Sequence, residues 1–309
     1  MNQKRTKSRI FHPLDCLLIA GVMTFTLADT FLIRRSYSTV EAHESTASDP
    51  AAVLSTEPVP SSEPAVITDT SYEDDNISIT IETYRYLDTT IHVADVQISS
   101  IDYLYSVFAE DTYGKNITAA TSEIAASVDA ILAINGDYYG ARSSGYVLRN
   151  GVLYRSQANS ATQEDLVILS DGSFRIIQEG ETSAASLEDE NVLQVYSFGP
   201  ALIENGVIAV TEADEVGKAK ASNPRTAICE IEPLHYLFVV SDGRTDEDEG
   251  LSLYELAEFL SQFEVRTAYN LDGGGSSTMV FLGELVNHPT TSGRKESERS
   301  VSDVIAIGY

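Results

Sequence analysis

Two hydrophobic rhythms run along this chain, and the shorter one dominates. Residues 77–81 read Ile-Ser-Ile-Thr-Ile, an apolar side chain at every second position, which is the period of a half-buried strand. Short apolar runs bounded by turn residues predict further strands at 91–98, 104–108, 130–134, 237–240, 265–269, 278–282 and 304–307. Three more apolar stretches, 146–154, 166–177 and 195–208, are each broken by a reversal signal: Asn150-Gly151, Asp171-Gly172 and Asn205-Gly206. The helical period shows at 122–130, through Ile124, Ala125 and Val128. It is clearest at 252–263, where Leu253, Leu256, Ala257, Leu260 and Phe263 form one stripe behind a Ser252/Glu255 capping box. Hairpins with few helices predict an α+β domain on a mixed or antiparallel sheet, not repeated βαβ units.

The N-terminal quarter follows neither rhythm. Four basic residues precede an apolar stretch at 14–33, about the length a spanning helix needs. We expect a signal anchor with its basic end in the cytoplasm and the body outside the cell. A cleaved signal peptide with secretion is the alternative. Residues 36–75 are rich in Ser, Thr, Glu, Pro and Ala and predict a flexible spacer that holds the body off the membrane. The expected organisation is therefore tail and anchor at 1–35, linker at 36–75 and one globular domain at 76–309.

Charge narrows the partners. The chain has 20 basic and 47 acidic residues, net −27, and the first 35 residues hold six of the basic ones. The field of so acidic a body repels nucleic acid, yet leaves room for a local basic pocket. Cys16 and Cys229 lie in unrelated contexts and do not read as a disulfide. His235 and His288 stand alone, and no Cys/His cluster has zinc spacing. The acidic run 246–249 could attract Ca²⁺ but lacks the ligand spacing of a calcium loop, so no cofactor is required by the sequence.

Candidate chemistry gathers at strand ends. Asn135-Gly136-Asp137, Asp242-Gly243-Arg244 and Asp272-Gly273-Gly274-Gly275 each follow an apolar strand. Asp-Gly and Asn-Gly pairs alone make turns. A turn does not need three glycines followed by Ser276 and Ser277, however, so that loop reads as a cradle for a polar, anionic substrate. Arg225 opens another apolar strand, and its planar guanidinium suits a phosphate or carboxylate. Arg294 and Arg299 lie in a polar loop and could add positive charge.

Taken together, the segments Ile134-Asn135-Gly136-Asp137-Tyr138-Tyr139, Asn223-Pro224-Arg225-Thr226-Ala227-Ile228, Val240-Ser241-Asp242-Gly243-Arg244 and Asn270-Leu271-Asp272-Gly273-Gly274-Gly275-Ser276-Ser277-Thr278 resemble the phosphodiester glycosidase family. The resemblance spans roughly 95–309. Cys229 stands where the family pattern has Gly, and Tyr139 where Phe is more usual. The resemblance implies hydrolysis of a sugar-1-phosphodiester at the anomeric carbon, and the anchored layout resembles bacterial members associated with exopolysaccharide. On that reading Asp272, Asp137 and Asp242 are the carboxylates at the sugar. Arg225, Arg244, Asn135, Gly273, Gly274, Gly275, Ser276 and Ser277 hold the substrate and its phosphate. Two other classes stay open. One is a non-catalytic envelope glycan-binding module using Tyr138, Tyr139, Tyr146 and Tyr269 as stacking platforms. The other is a metal-dependent phosphodiesterase that cuts the P–O bond.

Overall fold

The structure is a computed structural model, and it describes residues 20–26, 28–29, 32–37, 64–214 and 222–309. Among these residues every strand pairing is antiparallel, which resolves the mixed-or-antiparallel expectation. A nine-stranded sheet runs in the order Val207–Ile208, Ala201–Glu204, Thr267–Asn270, Arg225–Glu232, His235–Ser241, Thr89–Ile98, Ile77–Tyr86, Ser71–Glu73, Val66–Ile67. One five-stranded sheet is ordered Glu284–Leu285, Met279–Phe281, Leu132–Asn135, Asp303–Ile307, Leu104–Phe108. The other is ordered Val152–Arg155, Val147–Arg149, Val192–Tyr196, Glu164–Leu169, Phe174–Gln178.

The central core is where one face of each sheet meets the others. Ile79 and Ile81 of the nine-stranded sheet, Ile134 and Ile305 of one smaller sheet and Leu166 and Ile168 of the other share it. The alternation read at 77–81 is thus the inner face of a long strand. The far face of the large sheet is covered by the helix Leu253–Leu260, whose Leu253, Leu256, Ala257, Phe259 and Leu260 are buried. Burial of each such leucine is worth about 1.5–3 kcal/mol. The capping box forms as expected: the Ser252 hydroxyl accepts Glu255 N at 3.1 Å, and Glu255 Oε2 accepts Ser252 N at 2.7 Å. The other expected helix shortens to Thr121–Ala126 and packs on the sheet that carries Leu132–Asn135.

Three expectations change. The stretch 195–208 is not one hairpin, because Val192–Tyr196 belongs to a small sheet and only Ala201–Glu204 and Val207–Ile208 pair across Asn205-Gly206. The linker ends earlier than residue 75: Val66–Ile67 and Ser71–Glu73 extend the large sheet, and Tyr72 reaches the core. Polar composition concealed them, since an edge hairpin needs only one inward side chain. The boundary at 35/36 also moves, because Arg35–Ser36 forms a two-stranded ladder with Gly114–Lys115. Asn116 Nδ2 holds this segment further, donating to the carbonyls of Asp29 at 3.2 Å and Ile33 at 2.9 Å. Residues 14–19, 27, 30 and 31 of the expected anchor and 38–63 of the expected linker lie outside the described residues. Among the described residues no helix is long and apolar enough to cross a membrane.

Register brings the chemically rich strand ends together. Arg225 pairs with Ser241, and Ala227 with Asn270, so the loops after Ser241 and Asn270 flank Arg225 at one edge of the large sheet. Asn135 and Asp303 mark the matching edge of a smaller sheet, where Val304 pairs with Asn135. Asp272 N donates to the Gly136 carbonyl at 3.3 Å and joins the two edges.

Candidate active site

The glycine run is shaped by what must approach it. A Cβ on Gly273 would lie 2.9 Å from the Pro224 carbonyl oxygen. Gly274 has φ +64°, and a Cβ there would lie 2.7 Å from Arg244 Nη2. On Gly275 it would lie 2.3 Å from Thr291 Oγ1 and 2.9 Å from Arg299 Nη2. The three glycines therefore admit a strand end and two guanidiniums, a close approach that any side chain would block. Their amides are partly spent inside the loop. Gly274 N donates to the Pro224 carbonyl at 2.8 Å, and Ser276 N and Ser277 N fold back to Gly273 and Gly274. The expected amide cradle is thus revised: the loop offers cations packed against it more than its own N–H groups.

These cations wall a cleft of about 160 Å³ lined by Phe198, Asn223, Arg225, Arg244, Asp272 and Arg299, among others. Arg225 is buried, and its Nε donates to the Leu251 carbonyl at 2.7 Å. Arg244, at φ +67°, donates to Asn223 Oδ1 through Nε at 3.2 Å and Nη2 at 2.8 Å, and to the Thr291 carbonyl through Nη1 at 2.8 Å. Burial lowers the Arg244 pKa, as does repulsion from Arg299 and Arg225, so these three guanidiniums feel one another. Asp272 answers them. Burial raises its pKa, against the Ser276 hydroxyl, the charges of Arg299 and Arg142 and the Gly273 N–H. Arg142 itself is held by the Ser197 carbonyl at 2.9 Å and sits 5.0 Å over the Phe198 ring.

Asp272 also lines a second, narrower cleft with Asn116, Thr118, Tyr138, Ser300 and Ser302. Tyr138 is exposed and has φ +68°, a backbone state that costs a bulky residue energy and that clusters at working sites. It is the one expected aromatic platform that can offer a ring face there: Tyr139, Tyr146 and Tyr269 are all buried. A more open hollow of about 370 Å³, walled by Glu164, Arg175 and Glu190 among others, is larger. It lacks the convergence of cations seen around Asp272.

The other expected carboxylates do not reach either cleft. Asp137 is fully buried, with Oδ1 2.9 Å from Arg149 Nη2, and it accepts Tyr139 N at 3.1 Å and Ser197 N at 2.8 Å. Arg149 Nε also donates to Asp303 Oδ2 at 2.9 Å, so Asp137 is one member of a buried ion triad. Burial pushes Asp303 upward against the pull of Arg149. Asp242 is buried too. Its Oδ1 accepts His288 N at 2.9 Å and Asn287 Nδ2 at 3.2 Å, and its Oδ2 lies 3.7 Å from His92 Nε2 and 3.4 Å from His288 Nδ1. Burial would raise its pKa, but His92, the His288 N–H and Asn287 outweigh that and lower it. Asp242 thereby pins the loop that carries Thr291 to the loop that carries Arg244.

Asn135 is likewise a strut. Its Nδ2 donates to the Asp272 carbonyl at 2.7 Å, while its Oδ1 accepts the Thr226 hydroxyl at 2.8 Å and Thr278 N at 3.2 Å. Ser277 is buried, and its carbonyl accepts Asn287 Nδ2 at 3.0 Å. The cleft does contain Asp272, Arg225, Arg244, Gly273 and Gly274. Gly275 lies against Arg299 and Ser276 beside Asp272. Arg294 is exposed, and Asp248 of the acidic run accepts Thr90 N and Arg85 Nη1, both at 2.7 Å. Among the described residues no three His, Cys, Asp or Glu are grouped to hold a metal ion. Sequence reasoning left Asn223, Arg142 and Phe198 out. Asn223 stood in view beside Pro224-Arg225, whereas no spacing singles out Arg142 or Phe198.

Known proteins resemble this chain in sequence and in fold. Human N-acetylglucosamine-1-phosphodiester alpha-N-acetylglucosaminidase is 31% identical over 211 residues, covering 61% of this chain and 40% of that protein. The SPbeta prophage-derived protein YomE of Bacillus subtilis (strain 168) is 26% identical over 186 residues, covering 58% of this chain and 28% of its own length. The chain thus spans well under half of either relative. The zebrafish N-acetylglucosamine-1-phosphodiester alpha-N-acetylglucosaminidase catalytic domain, solved in a form auto-inhibited by its pro-peptide, shares the fold. It superposes with a TM-score of 0.60 at 21% identity, covering 75% of this chain and 83% of that one. The phosphodiester glycosidase family model matches residues 129–308, more than half of the chain and all four strand-end segments that build the cleft. The chain therefore belongs to the phosphodiester glycosidase family.

Proposed function

We propose that the protein hydrolyses a sugar-1-phosphodiester, of the N-acetylglucosamine-1-phosphodiester kind, by cleaving the anomeric C–O bond. The observation that carries this reading is one carboxylate, Asp272, set between a cleft walled by Arg225, Arg244 and Arg299 and a narrower cleft edged by Tyr138. The phosphate occupies the arginine cleft, and the sugar lies toward Tyr138. The anomeric carbon then faces Asp272, which stabilises the oxocarbenium-like charge as the bond breaks. The leaving group is a phosphate monoester, a weak base that needs positive charge more than a proton. A second carboxylate acting as general acid is therefore dispensable, which fits the burial of Asp137 and Asp242. Asp272 either attacks the anomeric carbon or activates water. The anomer first released, read by NMR, decides between retention and inversion.

The defining experiment incubates the protein with N-acetylglucosamine-1-phosphodiesters in ¹⁸O water. Label in the sugar is expected. Label in the phosphate would mean P–O cleavage, and no turnover of any sugar phosphodiester would leave a glycan-binding module. A substrate in the cell envelope or exopolysaccharide fits a domain carried outside the cell behind a signal anchor at 14–33, a placement that rests on the sequence. Protease protection in intact cells tests it, and a protected domain would refute it.

A further inference from the structure

We infer that the arginine cleft binds a phosphate monoester more tightly than a phosphodiester, so that the reaction is held back by its own leaving group. The inference rests on the hydrolytic reading of Asp272. Its basis is a mismatch of charge. Arg225, Arg244 and Arg299 enter one cleft from three separate segments, and Arg244 and Arg299 alone outnumber Asp272, the one carboxylate among the described residues that lines it. Arg244 is held by neutral oxygens of Asn223 and Thr291, and the negative charge it feels comes from Asp272. Arg142 adds its field from the Phe198 side. A phosphodiester brings a single negative charge to this surplus.

The products bring more. Water adds its oxygen to the anomeric carbon and the anomeric C–O bond breaks. The phosphorus keeps the bridging oxygen, and the second proton of water goes to the phosphate or to solvent. The diester monoanion becomes a monoester whose second ionisation lies near pH 6 and whose charge at pH 7 is about −1.5 to −2. In a partly desolvated cleft an added unit charge beside several guanidiniums is worth at least roughly tenfold in affinity. Sustained turnover therefore calls for a following reaction that consumes phosphate monoesters, either their hydrolysis or transfer of the phosphoryl group.

The test is calorimetric titration of the full chain with monomethyl phosphate, dimethyl phosphate and inorganic phosphate at pH 5 and pH 8. Asp272 is the titrating group facing the cleft. Its ionisation opposes the dianion more than the monoanion, so it narrows the pH 8 gap and cannot produce it. At pH 8 monomethyl phosphate is expected to bind at least about tenfold more tightly than dimethyl phosphate, and at pH 5 within about twofold. Arg299→Gln should narrow the pH 8 gap without shifting thermal unfolding. Equal affinities at pH 8, or a gap that does not change with pH, overturn the inference. Monomethyl phosphate binding more weakly than inorganic phosphate assigns the site to free phosphate and overturns the product role. A charge-dependent gap in a protein that turns over no sugar phosphodiester sinks the hydrolytic reading and the product role that rests on it, while the charge preference of the cleft stands. Turnover without the gap sinks this inference alone.

Discussion

Adding one methyl group, by Gly275→Ala, should disarm the cleft while sparing the fold. Gly275 needs no left-handed backbone, so alanine is free of dihedral strain there. The new Cβ meets Thr291 Oγ1 at 2.3 Å and the Arg299 guanidinium at 2.9–3.0 Å, distances no real contact sustains. Both are side-chain ends, so they move aside, and two cations move with them. Arg299 leaves the loop directly, and Arg244 follows because Thr291 supplies the carbonyl that holds its Nη1. A hydrogen bond to a charged group is worth about 1.5–3 kcal/mol, so weakening two of them costs about 2–4 kcal/mol. At about 1.4 kcal/mol per decade, kcat/KM falls roughly 30- to 700-fold. Overpacking that side chains relieve costs about 1 kcal/mol of stability, a fall in Tm of about 2–4 °C for a domain of this size. Gly273→Ala should behave in the opposite way, because its neighbour is the fixed Pro224 carbonyl: stability falls first. Phosphodiester hydrolysis and circular-dichroism melting of both variants check the argument. A Gly275→Ala protein that keeps kcat/KM within threefold refutes it.

Asp272→Asn should lower kcat/KM by 10²–10⁴-fold with an unchanged melting profile, and wild-type activity in that variant would remove Asp272 from the mechanism. Burial raises the Asp272 pKa, so the ionised form is lost on acidification at a higher pH than for an ordinary carboxylate. The acid limb of kcat/KM should therefore lie above about 3.9, and a limb at or below that value contradicts its placement. Asp242→Asn should raise KM about tenfold with kcat little changed, because it loosens the clasp on the Thr291 loop and not the chemistry; an equal loss in kcat counts against the positioning role. Asp165 is pushed up to about 9 by burial and by Glu179. The native state then binds a proton that the unfolded chain has lost, so stability falls as pH rises from about 4 to about 9. Asp165→Asn should flatten that slope in urea unfolding, and an unchanged slope would place the proton elsewhere.

Legibility in the sequence followed how local each feature is. The capping box, the Asn150-Gly151 and Asp171-Gly172 reversals and the inward face of 77–81 are set by residues close together in the chain, and they were readable. The glycine run was readable as a place of close approach, but the identity of what approaches it was not. Arg244, Arg299 and Thr291 arrive from other segments. Asp137 and Asp272 share one local grammar, an acid at the end of a buried strand. They part company only because Arg149, on another sheet, neutralises one of them. The Ser71–Glu73 strand was hidden for a related reason: its role depends on a partner strand more than on its own composition.

The ladder between Arg35–Ser36 and Gly114–Lys115 bears on how a force on the first residues would reach the domain. A second strand, Val66–Ile67, pairs with the domain through Ser71–Glu73. A hold on the chain before Arg34 would therefore reach the domain through the Arg35–Ser36 strand. Asn116 grips that segment and also lines the Tyr138 cleft, so a pull on the residues before Arg35 would be felt at the edge of that cleft.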